Sequence, residues 1–206
     1  MEIADPLRKS FMPISPPLSV AVFCGSRRGN NPAWHAASEE LGQSLARAGL
    51  RLVYGGGQVG LMGVVADAVI NGGGEVFGVI PAFLQRREVA HQGPVALVVT
   101  DTMHDRKRQM FEAADAFVVM PGGIGTFDEA IEITTWAQLD LHAKPIYIVD
   151  IAGWAQPYLA MIDAAIANGF ATPVTRTLFA VLPDVPTLMQ RLSTLTRPAK
   201  GEPEKV

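Results

Sequence analysis

The chain has 206 residues, 49% of them hydrophobic and 18% charged, which suits one well-cored globular domain and excludes a disordered chain. Seventeen Lys+Arg against 20 Asp+Glu leave a formal net charge of −3, arguing against a general nucleic-acid coat or membrane-surface binder, since both need a basic excess. The single cysteine, Cys24, has no partner for an internal disulfide, and no apolar run approaches the roughly 18 residues that span a bilayer. A cytoplasmic protein is expected.

In chain order, a polar, Pro-rich tail over 1–17 precedes the first apolar run. Strands are predicted at Leu18–Cys24, Leu50–Tyr54, Glu75–Ile80, Val95–Thr100, Ala116–Met120, Pro145–Asp150 and Thr177–Leu182. Most are apolar throughout, as parallel strands covered on both faces must be. Helical patterns fill the intervals at Pro32–Ala48, Gly60–Asn71, His104–Ala114, Thr126–Leu139, Gly153–Asn168 and Val185–Leu195, and a charged tail follows over 197–206. The alternation predicts one α/β domain over 18–196. It is a Rossmann-like, doubly wound, mostly parallel sheet with helices on both faces. Such sheets bind ligands at the C-terminal ends of their strands.

The loops at those ends carry the chemistry. They hold Cys24-Gly25-Ser26-Arg27-Arg28-Gly29, Gly55-Gly56-Gly57-Gln58-Val59-Gly60, Arg86-Arg87-Glu88, Met103-His104-Asp105-Arg106-Lys107-Arg108 and Pro121-Gly122-Gly123-Ile124-Gly125-Thr126. Seven of the 17 basic residues (Arg27, Arg28, Arg86, Arg87, Arg106, Lys107 and Arg108) therefore fall on one predicted edge of an acidic protein. That points to a small anionic ligand. In the Pro121–Thr126 turn, glycines let successive N–H groups converge, the helix that follows adds its dipole, and Thr126 adds a hydroxyl. Phosphate binding is the expectation.

Glu129 has two readings. Thr126-x-x-Glu129 fits a capping box, with Thr126 as N-cap. Glu129 and Glu132 also share a helical face and, beside a phosphate nest, would need a cationic neighbour such as Arg106 or a developing oxocarbenium ion. The residues alone leave both open. Other chemistries find less support. Gly55-x-Gly57-x-x-Gly60 resembles a dinucleotide fingerprint, but the next strand ends in Val79-Ile80-Pro81 with no acid for a ribose. There is no Walker Lys, no Gly-x-Ser-x-Gly elbow and no ligand spacing among the four histidines. Neither a cofactor nor a metal is expected.

These motifs, Gly55-Gly56-Gly57-x-x-Gly60-Leu61-Met62-Gly63, Met103-His104-x-Arg106-Lys107 and Pro121-Gly122-Gly123-x-Gly125-Thr126-x-x-Glu129, with Thr135-Trp136-Ala137-Gln138-Leu139 behind them, resemble the LOG family. Its members are cytokinin riboside 5′-monophosphate phosphoribohydrolases, often labelled lysine decarboxylases, although nothing here marks a pyridoxal lysine. The similarity runs from about Val20 to Pro173. It implies hydrolysis of the N-glycosidic bond of a nucleoside 5′-monophosphate, with Arg106 and Glu129 as the catalytic pair. It also implies substrate contacts from the loop Gly122, Gly123, Ile124, Gly125 and Thr126, from Gly25 and Ser26, and from Glu88, Met103, Lys107 and Glu132. A homodimer follows from the family's habit and from the apolar helix carrying Trp136. After Glu88 the chain departs from the plant-type pattern, reading Val89-Ala90-His91-Gln92-Gly93, so AMP is an expected substrate too. A molybdenum-cofactor carrier of similar architecture, which would tolerate loss of Glu129, is the alternative, and a Rossmann-like DNA-processing protein is a further rival.

Overall fold

The computed structural model describes residues 17–86 and 88–196. Apart from Pro17, both expected tails lie outside the described residues, as does Arg87. Seven strands form one sheet: β1 (Ser19–Phe23), β2 (Arg51–Tyr54), β3 (Val76–Pro81), β4 (Ala96–Thr100), β5 (Ala116–Val119), β6 (Ile146–Val149) and β7 (Ala180–Leu182). Their order is β4-β3-β2-β1-β5-β6-β7, and every pairing is parallel. The sheet is thus wholly parallel where a mostly parallel one was expected.

Six helices cover it: α1 (Pro32–Arg47), α2 (Gly60–Asn71), α3 (Met103–Ala113), α4 (Ile124–Gln138), α5 (Gln156–Ala167) and α6 (Val185–Leu192). Side chains alternate across a strand, so β1 divides its burial between two cores. Val20 and Val22 pack with Leu41 of α1, Val65 of α2 and Leu188 of α6. Ala21 and Phe23 pack with Met110 and Phe111 of α3, Ile133 of α4 and Leu159 of α5. Leu41 is fully buried. Its truncation to Ala should cost about 3 kcal/mol in urea unfolding, through lost transfer energy and an unfilled cavity.

Element boundaries differ by a few residues from expectation, for local reasons. The seventh strand is shorter because Pro173–Thr177 form a 3₁₀ turn ahead of it. The fifth helix starts late because Ile151–Gly153 turn first, with Ala152 in the left-handed region at φ 54°. Chain order reverses at β1, which has β2 on one side and β5 on the other. The crevice beyond such a switch point is where open α/β sheets bind ligands. No helix among the described residues is long and apolar enough to cross a membrane.

Candidate active site

A cleft of about 740 Å³ opens at this switch point, between the loop after β1 and the turn from β5 into α4. Helix α4 begins at Ile124, with Gly123 as an extended N-cap lacking a side-chain hydrogen bond. Two carbonyls of the turn are held from outside: Pro121 O accepts the Gly25 N–H (3.0 Å), and Gly122 O accepts the Trp154 indole N–H (2.9 Å). The first bond into the helix is Phe127 N–H to Gly123 O, at 3.1 Å. The five backbone N–H groups of residues 122–126 have no acceptor among the described residues. A helix's first turn cannot satisfy its own donors, and its dipole favours an anion beside them. Since residues 122–126 all line the cleft, the geometry is that of an anion nest. Only glycine fits at 122, where a Cβ would run into the Thr126 hydroxyl and the Gly25 backbone.

The capping-box reading fails here. Because α4 starts two residues earlier than expected, Thr126 is its third residue and not its cap, and Glu129 lies in the second turn. The reciprocal cap occurs on α3 instead. There Thr102 Oγ1 accepts the Asp105 N–H (3.0 Å) and donates to the Asp105 carboxylate (2.7 Å). Glu129 is therefore free of capping, half-buried and on the cleft wall. Burial is the main cause that pushes its carboxyl from 4.5 up to about 7. Arg106 and Lys107 oppose the rise, and Asp128 and Glu88 add to it.

Arg106 is 6% exposed on α3 and reaches beneath the cleft. Its Nε donates to Val79 O (3.2 Å) and its Nη2 to Gly55 O (3.1 Å), while Glu88 Oε2 lies 3.6 Å from Nη2. A Cβ on Gly55 would fall on Nη2, so the glycine makes room for the guanidinium. Two carbonyls and a carboxylate hold this buried cation in one orientation, and Arg is always charged.

The other expected residues divide. Ser26 and Ile124 line the cleft, with Ile124 87% exposed. Gly25 lines it too, but its N–H is spent on Pro121 O and its carbonyl on the N–H groups of Leu61 and Met62. Met103 is outside the lining and contacts Arg106 Nη1 through its sulfur at 4.0 Å. Lys107 and Glu132 are outside it as well. Lys107 Nζ sits 2.6 Å from Asp128 and 3.2 Å from Glu132. Burial draws the Lys107 pKa down, but its two carboxylates outweigh that and hold it above the usual lysine range. Arg108 pairs with Asp105 at 3.2 Å on the surface. Among its described members, the expected basic cluster thus contributes Arg27, Arg28 and Arg106 to the cleft.

Other cleft residues escaped the motif reading. Trp34 and Trp154 both line it; Trp154 sits beyond β6, in a loop at the same end of the sheet as the motifs. Cys24 is buried, and burial first and then Glu129 push its thiol far up, as in a structural cysteine. The glycines at 55–60 do not build a dinucleotide site, because the N–H groups of Leu61 and Met62 at the start of α2 bond Gly25 O (2.9 and 3.3 Å).

A family model described as "Possible lysine decarboxylase" matches residues 62–192. "Probable cytokinin riboside 5′-monophosphate phosphoribohydrolase LOGL9" of Oryza sativa subsp. japonica is 46% identical, over 84% of this chain and 76% of its own length. A cytokinin riboside 5′-monophosphate phosphoribohydrolase of Arabidopsis thaliana is 41% identical, over 84% of this chain and 81% of its own length. Among solved structures, the molybdenum cofactor binding protein of Rippkaea orientalis aligns with a TM-score of 0.65 and 17% identity, over 86% of this chain and 96% of that one. A Moco carrier protein from Chlamydomonas reinhardtii gives 0.65 and 20%, over 87% and 97%. At those identities the likeness shows the fold alone. Matched family model and relatives together place this chain: it belongs to the LOG family of cytokinin riboside 5′-monophosphate phosphoribohydrolases, enzymes that hydrolyse N-glycosyl bonds.

Proposed function

We propose that this protein hydrolyses cytokinin riboside 5′-monophosphates to the free base and ribose 5-phosphate, and that it accepts AMP as well. The observation that carries the reading is the juxtaposition in one cleft of five unused backbone N–H groups with the Arg106–Glu129 pair. The nest takes the 5′-phosphate. Glu88, on the segment packed against Gly57, also lines the cleft and borders the base. That segment also carries the departure from the plant-type pattern. It is pinned by His91, which is 3.0 Å from Asp67, and by its backbone N–H to Gly56 O.

In the reaction the bond from C1′ to the base nitrogen breaks and its electron pair leaves with the base. The ionised Glu129 stabilises the cation developing at C1′ and takes a proton from the water whose oxygen adds there, as a carboxylate does in glycoside hydrolysis. That proton then passes through solvent to the base anion, which is released as the neutral base and leaves Glu129 ionised again. Arg106, fixed by the Val79 and Gly55 carbonyls, orients Glu129 and the ribose. The protein works as a cytoplasmic homodimer; Ile131 on α4 and Leu139 just after it, 40% and 61% exposed, support an apolar contact there, and sedimentation velocity tests the dimer.

The test is to incubate the protein with isopentenyladenosine monophosphate and with AMP and to separate products by chromatography. Free base and ribose 5-phosphate in equal amounts support the reading. Binding of both nucleotides without release would return the site to a carrier. A second result should follow from Arg27 and Arg28, which line the cleft with no ion-pair partner among the described residues. Replacing both with Ser should raise KM for AMP about tenfold at low salt. The difference should shrink as salt screens it.

A further inference from the structure

The β6–α5 turn is built to deliver one side chain onto the nest. Asp150 follows β6, and its carboxylate accepts the Ala155 N–H (2.7 Å) and the Gln156 side-chain amide (2.5 Å). Ala152 between them takes φ 54°, a left-handed conformation unfavourable for a residue with a Cβ. The turn is also held from α1, where the Trp34 indole N–H donates to Ile151 O at 3.1 Å. What this arrangement carries is Trp154. Its ring stacks on Phe127 of α4 with centroids 5.1 Å apart and planes at 9°, and Phe127 stacks in turn on Tyr158. With its ring so held, its N–H reaches Gly122 O at 2.9 Å.

That one acceptor matters because of the peptide it belongs to. The Gly122–Gly123 peptide unit is planar and trans, so its N–H points opposite to its C=O. Holding the carbonyl toward the indole aims the Gly123 N–H the other way. The unit is flanked by two glycines, and a Cβ at Gly123 would meet nothing. Side-chain sterics therefore do not stop the unit from rotating, and its carbonyl has no partner other than Trp154 among the described residues. We propose that Trp154 is a positioning residue for anion recognition: its indole N–H locks the Gly122–Gly123 peptide so that the nest is organised before the phosphate arrives. This rests on the nest being the phosphate subsite.

The decisive substitution is Trp154→Phe, which keeps an aromatic ring over Phe127 and deletes only the donor. Inorganic phosphate and ribose 5-phosphate serve as competitive inhibitors that report the nest, and adenine reports the base side. Both anions should bind about tenfold more weakly in the variant, with KM for AMP raised to match. Adenine inhibition and kcat should stay within about threefold, and the thermal midpoint should move by a few degrees at most. Asp150→Ala, which loosens the turn without touching the indole, should shift phosphate affinity in the same direction by a smaller factor. Unchanged phosphate affinity in Trp154→Phe overturns the proposal. So does an equal loss for phosphate and adenine with a collapsed midpoint, which marks Trp154 as packing alone. If the wild type itself is not inhibited by either anion, the phosphate reading of the nest has failed.

Discussion

Glu129→Gln is expected to abolish turnover while leaving nucleotide binding largely in place. An amide can neither take a proton from water nor offset a cation, so kcat should drop about a thousandfold, within the range that general-base groups supply. KM should change little, since the proposed phosphate and base contacts lie elsewhere in the cleft. A carboxyl with its pKa near 7, where burial has put Glu129, also prescribes the pH profile. Protonation disables it, so kcat/KM should fall about tenfold per unit below that value and level off above it. A wild-type profile that stays flat from about pH 5 to 8 would remove Glu129 from the role of base.

The same carboxyl has a consequence for stability with a defined sign. Its folded pKa lies above its ordinary 4.5, so the folded state holds the proton more tightly. The stability that the proton contributes is fully present below about pH 4.5 and is lost as pH rises through about 7. Above that, the fold carries an ionised, partly buried carboxylate at a cost of about 1–3 kcal/mol. Glu129→Gln should therefore be more stable than wild type at about pH 8, and this margin should shrink toward pH 5, read from thermal midpoints in matched buffers. An inactive variant that gains stability is the signature of a side chain kept for chemistry at the expense of the fold.

The sheet was legible because its strands are buried on both faces and so read as unbroken apolar runs; the chain-order prediction of motifs at strand ends followed from that. The start of α4 was not, because a glycine cap has no side chain to announce it, and Thr126 imitates one. Lys107 is expected at the cleft because it follows Arg106 in sequence, and Glu132 because it shares a helical face with Glu129. On a helix, however, consecutive residues point about 100° apart. Arg106 turns under the sheet's C-terminal edge, and Lys107 turns to the acids of α4. Trp154 reaches Gly122 from 32 residues away, and no local pattern encodes such a pairing. The loop after β6 nonetheless lies at the same strand ends as the motif-bearing loops, where open α/β sheets bind ligands.

Gly55→Ala should be nearly as damaging to turnover as loss of Arg106 itself, although Gly55 offers substrate no side chain. A methyl group there would occupy the position of Arg106 Nη2 and crowd Cζ and the Met62 sulfur. The guanidinium would have to leave its bonds to Gly55 O and Val79 O, stranding a buried cation and two carbonyls. Breaking such a set costs about 3 kcal/mol or more, and a displaced Arg106 would lose the orienting role proposed for it. Turnover should fall at least about a hundredfold, with a thermal midpoint several degrees lower. The mechanism is separable from a general backbone effect by a double-mutant cycle. In an Arg106→Ala background the added methyl meets only the flexible Met62 side chain, so Gly55→Ala should then cost little further stability, giving a coupling of more than about 1 kcal/mol. Costs that simply add would mean that Gly55 is needed for the conformation of its own loop. The guanidinium would then have another reason to lie where it does.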